Sequence, residues 1–267
     1  MAPSLRPAAL PPPSRNPTDA LASLRQTIAR MEGRPATEAA VPVLRFGCPE
    51  IDGQLPGGGI APGSVNDIVP IGYDATPAAL GFALALLAAT QGAAALVQTK
   101  RLEAELGQPY GPGLQDAGID PARLLIVSAE SAADAQWAIE ECLTAEALSF
   151  VIGLLGAPLS PTVGRRFSLA AQNAGHPLVL LHPHDTAGSN TADTRWLIGA
   201  APAARDRFGA LSQPRWSVTL QRNRNGRTGQ WILESGHGPH RFRVVETLAD
   251  RALPASADAR RPHSVHR

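Results

Sequence analysis

Five short apolar runs do most to constrain this chain: 64–69 (SVNDIV), 93–99 (AAALVQT), 123–129 (RLLIVSA), 150–155 (FVIGLL) and 177–181 (PLVLL). The first four are each followed by a stretch with helical patterning. Strands buried on both faces read as unbroken apolar runs, and strands that alternate with helices build a parallel sheet covered on both sides. The expected fold class is α/β, a mostly parallel sheet flanked by helices. Local signals agree. Pro77 suits a first helical turn, where its missing N–H costs nothing. Ser131 caps a helix that buries Ala135, Ile139, Cys142 and Leu143, and a further helix is expected over 161–175.

After His182 the pattern changes. Segments 194–201 (TRWLIGAA) and 215–235 alternate as antiparallel strands do, with Asn225-Gly226 as the hairpin turn. Trp216, Val218 and Leu220 should face Trp231 and Leu233 across it, and HRFRVVETL adds a last strand. Residues 1–40 are expected to form a disordered N-terminus with one amphipathic helix at about 19–32, placing Leu21, Leu24, Ile28 and Met31 on one face. One domain spans 41–250, and 251–267 reads as a disordered tail.

The chain has 267 residues, 44% of them apolar and 18% charged, which suits a soluble globular protein. Its longest apolar run, 80–89, is too short to span a bilayer. The N-terminus lacks the apolar segment and cleavage site of a signal peptide, so no membrane association and a cytoplasmic location are expected. Cys48 and Cys142 belong to no metal-binding or redox pattern and are expected to be buried as small hydrophobes. Lys100 is the single lysine. A net charge of +1 hides a gradient, because 191–267 holds 13 Arg against 6 acidic residues while the rest carries 11 basic and 17 acidic. A basic C-terminal third suits a polyanion or an acidic partner; a solvated arginine face is the plainer alternative.

The stretch 51–91 has the grammar of a phosphate-binding loop. Ile51 and Leu55 share one side of a helical turn, and Gly57, Gly58 and Gly59 permit positive φ. A strand, a tight loop and an amphipathic helix follow. A working loop reads GxxxxGK[ST], with glycines exposing backbone N–H groups, a lysine for the phosphates and a hydroxyl for Mg²⁺. Here the equivalent is PIGYDATPAALG, 70–81. Gly72 supplies a turn and Thr76 a hydroxyl, but no lysine or arginine occurs between Arg45 and Lys100. Asp74 places a negative charge where a triphosphate would lie.

The glycine-rich LPGGGIAPGS before the first strand, the chain of βα units and the closing hairpin together resemble a RecA-type core. More closely, the chain resembles the inducible mutagenesis protein A (ImuA) family. The residues that carry this are LRFGCPEIDGQLPGGGIAPGSVNDI, GFALALL, AGIDPARLLIVSA, DAQWAIEE, RRFSLAAQNAG, ADTRWLIGAAP, PRWSVTLQRNRNGRTGQWILE and HRFRVVETLADR, from about Leu44 to Arg251. The resemblance implies a RecA-related bacterial protein acting with the damage-tolerance polymerases of the SOS response. The implied partners are a catalytically inactive Y-family-like polymerase homologue and an error-prone replicative-type DNA polymerase, with direct DNA contact left open.

RecA-type ATPases carry an acid at the end of the fourth strand, where this chain reads FVIGLLGAP. They carry a glutamate after the second, where it has Lys100, with Glu103 and Glu105 slightly later. The expectation is a non-catalytic protein without a cofactor or metal. The loops that face single-stranded DNA in that fold correspond to 156–162 and 183–194. The first has no basic residue, and the second has only His184, near Asp185 and Asp193. Two rivals stay open: a divergent RecA-family ATPase, and an SOS cell-division inhibitor of similar fold.

His182-Pro183-His184-Asp185 offers two imidazoles and an acid but no further ligands, too few for a metal site. The candidate DNA or partner contacts are Arg222, Arg224 and Arg227 around the hairpin turn, joined by Arg215, Arg241 and Arg243. Alternation puts Arg222 and Arg224 on one side of the strand. The alternative is that these arginines keep an edge from pairing.

Overall fold

The computed structural model describes residues 43–184, 191–205, 207–210, 213–224, 226–236 and 242–248. The helix expected at 19–32 and the tail 251–267 lie outside them, as do Asp185, Asn225 and Arg241.

The domain begins with Leu44 bridged to Ile60 and a single helical turn, α1 (Pro49–Asp52). Asp52 accepts hydrogen bonds from the N–H groups of Phe46 (2.9 Å) and Gly47 (3.0 Å), which fixes the approach to α1. Ile51 and Leu55 are buried, as their spacing predicts. Of the three glycines that follow, Gly57 and Gly58 take φ of 76° and 79°. Gly59 instead is extended, and a Cβ there would sit 2.6 Å from the Leu44 carbonyl oxygen, so close packing is what requires glycine.

Strands and helices then alternate: β1 (Val65–Pro70), α2 (Thr76–Ala88), β2 (Ala93–Thr99), α3 (Lys100–Leu106), α4 (Gly111–Asp116), β3 (Leu124–Ala129), α5 (Ala132–Thr144), β4 (Leu148–Leu154), α6 (Pro161–Ala174) and β5 (Leu178–Leu181). Ser131 caps α5 by accepting from the Asp134 N–H. Ser160 caps α6, which Gly175 ends in the left-handed conformation. Then come β6 (Thr194–Ala201), β7 (Arg215–Asn223), β8 (Gly229–Ser235) and β9 (Phe242–Leu248).

Among the described residues, nine strands form one sheet in the order β3-β2-β4-β5-β1-β6-β7-β8-β9. Pairing is parallel from β3 to β6 and antiparallel from β6 to β9. The hairpin register is the expected one, with Trp216 opposite Leu233 and Val218 opposite Trp231.

Each sheet face has its own apolar core. α5 and α6 cover one, with Ile139, Leu143, Phe167 and Ala171 packed on Val97, Val151 and Leu180. α2 covers the other, where Phe82 meets Phe46, Trp196, Trp216 and Phe242 at ring-centroid distances of 5.5–6.2 Å. The Trp216 indole N–H donates to the Ala78 carbonyl at 2.9 Å, fastening β7 to the first turn of α2. α2 departs from the amphipathic pattern expected of it. It is apolar all round, and Pro77 is its one exposed residue. A helix enclosed on most sides has no polar face to keep.

Both cysteines are free and buried. The Cys48 thiol donates to the Phe242 carbonyl (3.0 Å), and burial pushes its pKa up to about 11.

Candidate functional site

The parallel strands β1, β4 and β5 end together, and the loop between β1 and α2 lies there. That loop is closed tightly. Ile71 donates its N–H to Ile198 O (2.9 Å), and Tyr73–Ala75 form a 3-10 turn leading straight into α2. The Thr76 hydroxyl donates to the Tyr73 carbonyl at 2.8 Å, so it serves the turn itself. Gly72 has an extended backbone, and a Cβ there would lie 2.8 Å from the Asp74 carboxylate. Residue 75 at the N-cap of α2 is alanine, and Pro77 has no N–H to offer. Helix N-termini hold anions through free N–H groups, and this one presents an exposed carboxylate, Asp74, instead.

A cleft of about 400 Å³ opens beside the loop. Leu102, Leu106, Leu154, Leu155 and Leu181 give it apolar walls. Its rim carries Tyr73, Asp74, Arg101 and Glu105. The Tyr73 hydroxyl donates to Glu105 at 2.6 Å, and this bond raises the tyrosine pKa above its ordinary value. Glu105 therefore does reach the loop, because α3 starts directly at the end of β2 and turns it back over the cleft. Lys100, at the start of α3, pairs instead with Glu130.

The histidines of the 182–185 segment go separate ways. His184 stands edge-on to Tyr73 with ring centroids 5.9 Å apart. His182 is buried, its Nε2 lying 2.8 Å from Asp67 Oδ1 on β1. Arg195 of β6 approaches the other Asp67 oxygen at 3.8 Å. Burial, with Arg222 nearby, lowers the Arg195 pKa against the opposing pull of Asp67. This buried Asp67–His182–Arg195 cluster ties β1 and β6 to the residue that follows β5. Sequence reasoning missed Asp67 and Arg195. A charge in the middle of an apolar run was the available signal.

The arginines of the hairpin form two groups. Arg215 donates to Glu234 at 2.6 Å and Arg243 pairs with the same carboxylate. Burial works against ionisation of Glu234, yet the hydrogen bonds from Arg243 and Arg215 hold its pKa below the ordinary value. At the other end of β7, roughly 27 Å away along an extended strand, are Arg222, Arg224 and Arg227. Strand alternation, which put Arg222 and Arg224 on one side, does not extend to Arg224, which lies beyond the strand. β7 ends at Asn223, whose amide donates to Gln54 O (2.9 Å) and Arg227 O (3.1 Å) and bends the chain into the turn. Arg222 lies opposite Arg195 at a bulge, while Arg224 pairs with Asp193 at 3.4 Å. Arg227 is exposed at the turn.

Among the described residues no three metal-ligating side chains cluster, and no helix is long and apolar enough to cross a membrane. No protein-family model matches the chain. The crystal structure of the RadB recombinase superposes with a TM-score of 0.53 at 14% identity, covering 76% of this chain and all of that one. That likeness establishes a RecA-like recombinase fold. The protein ImuA of Caulobacter vibrioides, in strains NA1000 and ATCC 19089, is 36% identical over 244 residues, covering 84% of this chain and 98% of the relative. Identity at that level over most of both sequences shows the family, and the chain belongs to the ImuA family.

Proposed function

We propose that this protein is a non-catalytic, RecA-like accessory factor of SOS-induced error-prone translesion DNA synthesis. It acts by binding and positioning, bridging an inactive Y-family-like polymerase homologue and an error-prone replicative-type polymerase. Membership of the ImuA family supports the pathway. The observation that carries the non-catalytic reading is the closed turn after β1, where Thr76 bonds the turn and the exposed Asp74 carboxylate belongs to the turn that leads into α2. The absence of an acid after β4 and the pairing of Lys100 with Glu130 point the same way. Positioning chemistry of this kind needs surfaces and no reacting group.

Two measurements test this. Deleting the gene should reduce ultraviolet-induced mutation to the background of unirradiated cells, with the wild-type copy restoring it. Unchanged mutagenesis with altered filamentation would favour a cell-division inhibitor instead. Calorimetry with ATP and Mg²⁺ should give no saturable heat. Saturable binding that disappears in Thr76→Ala would make the divergent ATPase the better reading.

A further inference from the structure

The cleft at the ends of β1, β4 and β5 is built for something other than a phosphate. Its walls are leucines from α3, β4 and β5, and its volume of about 400 Å³ falls within the ~300–1,000 Å³ range of binding clefts. At its rim stands one exposed aromatic side chain, Tyr73, at 65% of full exposure. The rim carries the carboxylates of Asp74 and Glu105 and the guanidinium of Arg101, and the imidazoles of His182 and His184 also line the cleft. The local balance is negative, which repels a polyphosphate and favours a cation.

We propose that this cleft is a protein-docking site for one apolar anchor side chain flanked by arginine or lysine, presented by a short segment of the polymerase homologue. The proposal rests on the function stated above for its choice of partner. Apolar walls supply the burial that makes an anchor residue dominate an interface. A flanking cation would meet Asp74 and Glu105 beside the largely exposed Tyr73 ring. The Tyr73–Glu105 hydrogen bond holds both groups in place before the partner arrives, which reduces the ordering cost of association.

The test is titration calorimetry of the full chain against the purified Y-family-like homologue from the same bacterium. Asp74→Arg combined with Glu105→Arg changes only exposed side chains and should weaken binding at least about tenfold. Leu106→Arg, which fills the cleft, should do the same, with melting temperature recorded for every variant. ATP at millimolar concentration should leave the wild-type affinity unchanged. Binding that survives both variants would overturn the cleft while leaving the bridging function in place; competition by ATP would overturn it too. A wild-type chain that does not bind the homologue would sink both.

Discussion

From β3 to β1 the sheet is parallel, with helices on both faces, and Asp67 is the one acidic side chain buried in its strands. From β6 to β9 it is antiparallel, with one face against α2, and it carries Arg195, Arg215, Arg222, Arg243, Glu234 and Glu246 in its strands. The difference extends to the sheet edges. β3 shows Leu125 and Ile126 to solvent with no charge between them, whereas β9 is guarded by Arg243, Glu246 and a bulge. In the parallel half, charge is nearly eliminated and what remains holds strands together. In the antiparallel half charges are more numerous, Arg195 and Glu234 are buried among them, and most arginines there are already committed to a carboxylate.

Asp67 is the sharpest point of that comparison. Removing it leaves His182 and Arg195 inside the protein without the carboxylate they share. Breaking a buried pair costs about 3–5 kcal/mol. Asp67→Ala should therefore show a large fall in urea midpoint with little change in slope. A loss below about 1 kcal/mol, the range of an exposed pair, would mean that the cluster is not a structural tie.

Glu234 should cost less, because Arg243 above it is largely exposed. Glu234→Gln is expected to lose about 1–3 kcal/mol at neutral pH, the range for hydrogen bonds to a charged group. The sign of its pH dependence follows from the depressed folded pKa. The contribution is fully present above the unfolded glutamate value of ~4.3 and is lost as pH falls through the lower folded value. Wild type and variant should thus differ in thermal midpoint at pH 7 and converge in strong acid. A gap that persists at low pH would assign the effect to packing.

The same contrast explains what the sequence discloses. The apolar strand runs, the hairpin, the cap at Ser131 and the helix over 161–175 are local signals, and the structure follows them closely. Ile51, Leu55 and the buried side of α5 were legible for the same reason. The amphipathic reading of α2 failed because enclosure of a helix depends on Phe46, Trp216 and Phe242, far from it in sequence. Asp67 was hidden inside an apolar strand, with partners 115 and 128 positions away. The six arginines were visible as residues, but which were committed to Glu234 or Asp193 depended on strand register and on where β7 ends.

Arg224 and Arg227 give the finest division within the hairpin. Arg224 is tied to Asp193 through its side chain and its backbone N–H. Arg227 contributes only its backbone to the fold, donating to Gln54 O at 3.2 Å and accepting from Asn223, while its side chain stands in solvent. Replacing Arg224 with alanine should cost less than about 1 kcal/mol, as exposed ion pairs do. Arg227→Glu should change stability by no more than about 0.5 kcal/mol. Reversing that charge still alters the field that an acidic surface or a phosphate backbone meets at the turn. Arg227 is therefore where a contact role separates from a folding role. Its reversal should leave the urea midpoint in place and lower affinity for whichever acidic ligand the hairpin meets, more steeply at low salt than at high. An unchanged affinity for both single-stranded DNA and the polymerase partners at low salt would leave the turn arginine with no role beyond keeping the hairpin solvated.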